Sequence, residues 1–352
     1  MVSRCQGVPI LMQVMLPVIA WLWFAIAASA QPATWDEWAD TANRSHPLAG
    51  KVVGADGKSL SFRNNRGPAD HGGPGFAPLL SKGGVLLLGE VHDNASHHLL
   101  RSWIIARSLG GVKRKPAVVF EHIRANQQQA LDALFPGRAG AQRMPTFDAV
   151  MQVLAWRDSG WPAAKLFEPL FDVALDAGLP MVAGDPPREQ VRALARQGAG
   201  ALSADERARL SLDAGLPAAL RDALETELRG SHCGLLPAQA IGPMALAQRY
   251  RDAHQAAAAL GAVAAHGSAV LLAGNGHVRK DRGTPWHIRQ RSPATPVVSV
   301  MLIEVEDGKT NAMDYMPRDP DGRAAADMII FTLRQPREDP CIGMRARFGK
   351  QK

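Results

Sequence analysis

Four apolar runs in the chain break off at polar tips: VLLLGEVH (85–92), AVVFEH (117–122), MVAGD (181–185) and AVLLAGNGH (269–277). None alternates apolar with polar positions. Short β-branched or leucine-rich runs of this kind mark strands buried on both faces, as in a parallel sheet covered by helices. Helical patterns lie between them. Residues 95–109 set Leu99, Leu100, Trp103, Ile104 and Ala106 on one face before Gly110 and Gly111, 126–134 reads as a shorter helix, and 145–177 reads as two helices broken near SGWP (159–162). Pro186 and Pro187 open another helix, Ser203 with Glu206 forms a capping box, and the alanine-rich stretch to about 265 is helical. Residues 296–305 read as one more strand, 50–62 as a hairpin turning on ADGK, and 63–75 as a loop rich in Gly, Pro, Asn and Asp. The pattern predicts an α/β fold: a mostly parallel central sheet flanked by helices, with a helical insertion over about 186–265 and an N-terminal β-hairpin. The organisation expected is a segment 1–30 outside the fold, an N-terminal segment 31–81, a core domain 82–306, and a C-terminal strand with a basic tail over 307–352.

The first 30 residues have their own logic. Arg4 precedes an almost wholly apolar stretch over 8–28, and Ala28, Ser29 and Ala30 supply the small-x-small pattern of a cleavable signal peptide, so export is expected, with cleavage after Ala30. Cys5 precedes the apolar stretch, where an acylated lipoprotein cysteine cannot stand. A periplasmic or secreted location follows. The other cysteines, Cys233 and Cys341, then face an oxidising compartment in which a disulfide persists, although sequence leaves open whether they meet. The formal net charge of +7 owes much to Arg334, Arg337, Arg345, Arg347, Lys350 and Lys352, a tail that reads as solvated, and nothing else in the chain suggests nucleic acid.

Chemistry concentrates at the strand tips. In an open parallel sheet, ligands sit beyond the carboxyl ends of the strands, so Glu90, His92, Glu121, His122, Asp185, Asn275 and His277 are expected to converge on one crevice. Glu90 and His92 alternate with Val91 and can point to one side, where each tunes the other's protonation for metal ligation or acid–base work. Alternation sends Glu121 and His122 to opposite faces, so only one is expected to reach the crevice directly. His97 and His98 follow in the first turns of the next helix as secondary ligand candidates, with Asp93 or Asn94 capping it. Arg279, Lys280 and Arg282 after GNGH, and Arg188 after Asp185, are candidate contacts for an anionic ligand. HExxH, CxxC, Walker and GxSxG patterns are absent, which removes the usual zinc-protease, redox, nucleotide and serine-esterase readings.

GEVHDN followed by His97 and His98, then FEH, WRDSGW (156–161), GLPMVAGDPPRE and AGNGHV resemble, in that order, the ChaN-like haem-binding uptake proteins of the Tiki superfamily, over about 82–300. The resemblance implies an exported α/β protein that serves bacterial iron acquisition, holding haem at an exposed surface with two haems stacked between two subunits. It implies haem as cofactor, a possible homodimer, and envelope haem or iron transport components as partners. Superfamily relatives include metal-dependent peptidases and erythromycin-esterase-like hydrolases, whose site residues correspond to Glu90, His92, Glu121 and His277. Two departures stand out. No lipobox cysteine is present, although many ChaN-like proteins are lipoproteins, and Phe167 stands where relatives often carry tyrosine, which throws iron ligation onto histidine. Three expectations follow: a haem-binding protein with His92 or His277 as axial ligand, basic residues near Arg279 meeting the propionates and Trp286 covering a haem face; a divalent-metal hydrolase in which Glu90 or Glu121 activates water; or a non-catalytic relic.

Overall fold

The computed structural model describes residues 34–61, 73–135 and 144–348, which belong to one unit, Ala33–Lys352. The signal-peptide reading of 1–30 and most of the expected loop over 63–75 lie outside the described residues. One sheet of eight strands organises the chain: β1 (Val52–Gly54), β2 (Ser59–Leu60), β3 (Val85–Leu88), β4 (Ala117–Arg124), β5 (Met181–Asp185), β6 (Ala269–Leu272), β7 (Val297–Glu304) and β8 (Met328–Thr332), in the spatial order β2-β1-β8-β7-β3-β6-β4-β5. The six strands from β8 to β5 are parallel, while β1 runs antiparallel to both β8 and β2. The sheet is therefore mixed but mostly parallel, and the tips of β3, β6, β4 and β5 open on a single edge.

Both faces of the central strands are buried, which explains why their sequences do not alternate in polarity. Leu86, Leu88, Val118, Phe120, Val270 and Leu272 enter one apolar cluster, while Val85, Leu87, Ala117, Val119, Ala269 and Leu271 enter the other. The helices are α1 (Trp35–Ser45), α2 (Ala77–Ser81), α3 (Ala95–Ser108), α4 (Gln128–Asp132), α5 (Phe147–Val153), α6 (Ala164–Asp176), α7 (Arg188–Gln197), α8 (Ala204–Leu210), α9 (Ala218–Ser231), α10 (Ala238–His266), α11 (Thr284–Arg291) and α12 (Pro340–Phe348). Helices α3 and α6 cover the first face through Trp103, Ile104, Phe167 and Phe171. The long α10 covers the second through Ala256, Ala259 and Ala262, small side chains that let a helix lie close on the sheet.

Several expectations need adjustment. The helix expected over 126–134 is a 3-10 turn, Ala125–Gln127, followed by the short α4. The capping box at α8 is half present: Ser203 accepts the Glu206 backbone N–H at 3.1 Å, but the Glu206 carboxylate turns to Arg209 at 2.7 Å. Arg334 and Arg345 of the tail are exposed as expected, but two of its described residues are tied down. Arg337 forks onto Asp93 at 2.7 Å and Glu304 at 2.6 Å, and Cys233 and Cys341 form a disulfide that ties α12 to the end of α9. Among the described residues no helix is long and apolar enough to cross a membrane.

Candidate functional site

The two faces of the sheet each supply a buried carboxylate centre at the carboxyl edge. On the face of α3 and α6, Glu90 continues the register of Leu86 and Leu88 and ends up fully buried. Its Oε1 accepts from His92 Nδ1 at 2.7 Å and His122 Nε2 at 2.8 Å, and its Oε2 pairs with Arg101 and lies 3.1 Å from His98 Nδ1. Burial alone would raise the Glu90 pKa, but the charge of Arg101 and then the contact with His122 hold it well below the carboxylate range. Burial also lowers the Arg101 pKa, against the pull of Glu90.

An ionised carboxylate only accepts, so His92 and His122 must each turn an N–H toward Glu90. In a neutral imidazole that leaves the other nitrogen with its lone pair, an outer-partner device common behind histidine ligands. Burial works against the His92 cation, but the Glu90 hydrogen bond and then the charge of Glu121 raise its pKa, so the lone pair is freed only by losing that proton. In His122 this second nitrogen, Nδ1, is buried without a partner, inside a ring of Trp156, Trp161 and Phe167. His92 differs because its side chain keeps 37% of its exposure, whereas those of Glu90, His98 and His122 keep none. Its Nε2 makes no hydrogen bond among the described residues, and Trp161 packs edge-on against its ring at 4.8 Å. The ligand atoms of Glu90, His92 and His122 all fall within 4.8 Å of one another.

The second centre lies on the α10 face. Glu121 Oε1 accepts from Arg251 at 2.8 Å and sits 3.2 Å from His277 Nε2, while its Oε2 accepts the Gly274 backbone N–H at 2.6 Å. His277 Nδ1 contacts Asp252 Oδ1 at 2.6 Å, so both of its nitrogens are engaged. Burial disfavours the His277 cation, yet Glu121 and Asp252 overrule it and lift the pKa to about 10. Burial would raise Glu121, but His277 and then Arg251 hold it well below its usual range; Asp252 is raised, because desolvation outweighs His277 there. Gly274 joins the two centres: a Cβ there would stand 3.2 Å from His92 Nε2 and 3.7 Å from Glu121 Oε2. GEVH, FEH and GNGH thus meet at one edge.

Alternation does send Glu121 and His122 to opposite faces, but both are used, one in each centre, where only one had been expected to reach the crevice. The pairing of β4 with β5 shifts register between Phe120 and Arg124, just where these side chains leave the sheet. His97 accepts the Val91 N–H at 2.8 Å and bonds Thr332 Oγ1 at 2.8 Å, and His98 receives Arg101 at 2.9 Å and donates to the His92 carbonyl at 2.9 Å. Burial lowers their pKa values to about 3 and about 4, so both are neutral braces for the loop, and Asn94 caps α3. Asn275 turns away, its amide donating to the Leu302 carbonyl at 2.7 Å. Asp185 pairs with Arg251 at 2.7 Å, and desolvation raises its pKa.

The basic loop near GNGH spends its charges internally: Arg279 on Asp281, Lys280 on Asp327, and Arg282 on Asp281 and Glu227. Trp286 packs with Leu216, Leu224 and Ala245. Arg188 instead lines a cleft of about 280 Å³ with Arg124, Ser159, Gly160, Trp161, Asp185, Val191 and Arg251. Both tyrosines are occupied, Tyr250 on Gln190 at 2.6 Å and Tyr315 on the Lys309 carbonyl at 2.8 Å, and Phe167 is buried against His98 and His122. Sequence reasoning missed Arg101, Arg124, Arg251 and Asp252. For three of them the signal was spacing: Arg101 one turn beyond His97 and His98, Arg124 two residues along the strand from His122, and Asp252 between Gln248 and Gln255 on an otherwise alanine-rich face.

The fold and the site define an α/β protein whose titratable groups gather at the carboxyl edge of a mostly parallel sheet, with one imidazole presented outward. A family model for haem-binding uptake proteins of the Tiki superfamily, ChaN, matches residues 77–288, and the chain belongs to that family. A solved structure concerned with cofacial haem binding to ChaN of Campylobacter jejuni shares the fold, with a TM-score of 0.55 at 17% identity, covering 79% of this chain and 95% of that one. An erythromycin esterase mutant in its open conformation gives a TM-score of 0.38 at 15% identity over 75% and 94% of the two chains, and a Bacillus cereus protein gives 0.38 at 12% over 73% and 90%. No curated protein matches the sequence.

Proposed function

We propose that this chain is an exported haem-binding protein of bacterial iron acquisition that takes haem at the open side of the Glu90 centre, with His92 as axial ligand. One observation carries the reading: the His92 side chain keeps 37% of its exposure, and its Nε2 has no hydrogen-bond partner among the described residues, on a ring whose other nitrogen Glu90 holds at 2.7 Å. Haem, when bound, would supply an iron that the His92 imidazole would hold. The donor set fits that group. His277, the other imidazole considered for the role, is engaged at both nitrogens, and the two phenols are bonded elsewhere. Trp161 gives the ligand an apolar wall beside His92. The surface position of His92 agrees with a haem shared between two copies of the chain, and the leader-like residues 1–30 agree with delivery to the envelope, where transport components would take over.

Haem titration followed by absorbance tests the reading. Wild type is expected to give a saturable Soret band that His92→Ala removes and His277→Ala retains. A folded His92→Ala protein that binds haem as wild type does would overturn it. A second reading, a metal-dependent hydrolase, draws on the 4.8 Å grouping of Glu90, His92 and His122. It requires Glu90 to give up hydrogen bonds that now neutralise Arg101, and it predicts metal-dependent cleavage of a peptide or ester that Glu90→Ala abolishes.

A further inference from the structure

Two sets of cations border the strand edge, and they differ in what neutralises them. Arg279, Lys280 and Arg282 each hold a carboxylate. In the cleft beside β5, Arg251 is likewise held, by Glu121 and Asp185. Arg124 and Arg188 are not. Both donate to one neutral acceptor, the Ser159 carbonyl, from 3.0 Å for Arg124, and neither forms an ion pair among the described residues. Burial and then the neighbouring charge of Arg188 push the Arg124 pKa down, against the weaker pull of Asp185 and Glu189. Asp185 lines the same cleft but pairs with Arg251 at 2.7 Å, which leaves part of the repulsion between Arg124 and Arg188 standing.

The cleft is shaped around this pair. Gly160, with φ at +87°, carries no side chain, and a Cβ there would come within 3.3 Å of Arg188 Nη2. A glycine at this turn both permits the left-handed backbone and keeps the guanidinium in place. Trp161 is the bridge to the other centre, since it lines the cleft and also packs on the His92 ring at 4.8 Å. The volume of about 280 Å³ is too small to enclose a macrocycle but ample for its acidic arms.

We propose that this cleft is an anion subsite in which Arg124 and Arg188 take the carboxylates of a flat acidic ligand that reaches His92 across Trp161. The inference rests on the haem reading for the ligand's identity, and of the expected anion contacts it keeps Arg188, adds Arg124 and leaves out Arg279, Lys280 and Arg282. Guanidinium pairs suit carboxylates because their planar forks donate two parallel hydrogen bonds. An anion there would relieve the repulsion that a shared carbonyl leaves standing.

The experiment compares three probes on the full chain: haem, iron-free protoporphyrin, and protoporphyrin dimethyl ester, which keeps the ring and loses both charges. Binding is read by tryptophan quenching for all three and by the Soret band for haem. Wild type is expected to prefer protoporphyrin over its dimethyl ester by about 10- to 100-fold, the range for one or two charge-assisted contacts. In Arg124→Gln with Arg188→Gln that preference should collapse, while the His92-dependent Soret band persists with weaker affinity. Equal wild-type affinity for the acid and the ester overturns the subsite without any variant having to fold, as does an unchanged preference in the double variant. A charge preference without a His92-dependent Soret band keeps the subsite and overturns the haem-ligation reading. A wild-type chain that binds none of the probes overturns both.

Discussion

Glu90 and Glu121 are both buried carboxylates, both stand at the same edge of the sheet on the strands that flank β6, and both meet histidine and arginine, yet one centre is open and the other sealed. Glu121 is enclosed by Arg251, His277 and the Gly274 amide, with Asp252 and Asp185 absorbing what positive charge remains. Every nitrogen of its histidine is spoken for. Glu90 also neutralises a buried arginine, but one of its histidines reaches the surface with a nitrogen to spare. The contrast shows that residue type does not distinguish an open centre from a sealed one at such an edge. What decides is whether the hydrogen-bond capacity of a side chain is exhausted inside the protein.

The sharpest test of this contrast is to remove each carboxylate in turn. Glu90→Gln leaves Arg101, fully buried, without its ion-pair partner, since no other carboxylate pairs with it among the described residues. A loss of about 3–5 kcal/mol in unfolding free energy is expected, as for other buried pairs broken from one side. Glu121→Gln leaves Arg251 with Asp185 and His277 with Asp252, so its cost should stay at about 1–3 kcal/mol, the range of a damaged buried hydrogen bond. Denaturant unfolding of the two variants checks the ranking. Equal losses would mean that the two centres do not differ in redundancy.

Next in size is the pH dependence of the sealed centre. The His277 pKa stands at about 10 when folded, above the 6.5 of a free imidazole. A group raised in this way contributes its full stabilisation below the unfolded pKa and loses it as pH climbs through the folded value. The stability gap between wild type and His277→Asn should therefore be widest near pH 6 and shrink steadily toward about pH 10. Unfolding curves across that window measure it, and a gap that does not change with pH would show that His277 is neutral in the folded chain.

How much of this was legible beforehand depends on the range of the interaction. The strands were readable because burial on both faces writes itself into consecutive residues, as in Val85, Leu86, Leu87 and Leu88. The tips were readable because a parallel sheet forces them together. Arg101 and Arg251 were not read because a helical arginine ordinarily faces water, and only the carboxylate it meets across the fold, Glu90 or Glu121, makes burial affordable. The cations at 279–282 were misjudged for the converse reason: charge shows in the sequence, its partner does not, although Asp281 sits in their midst. Helix α1 went unread because its apolar stripe is short, with Trp35, Trp38 and Ala42 its buried residues. The pairing of Cys233 with Cys341 spans 108 positions, beyond any local pattern.

The tail offers the smallest effect and tests the open centre from outside. Arg337 fixes Asp93, the neighbour of His92, and Glu304 at the end of β7, while Asn94 donates to Glu304 at 2.7 Å and to the Leu333 carbonyl at 3.1 Å. These contacts strap the loop that presents His92 and touch nothing around Glu121. Asp93 is 43% exposed, which screens its share, so Arg337→Ala should cost only about 1 kcal/mol in unfolding free energy. Its signature should be selective. Amide exchange should quicken over residues 91–94 and stay as in wild type at Gly274, whose N–H the sealed centre holds at 2.6 Å. If both segments loosen together, the two centres form one cooperative unit, and the distinction between a presented and an enclosed histidine is one of exposure and not of local stability.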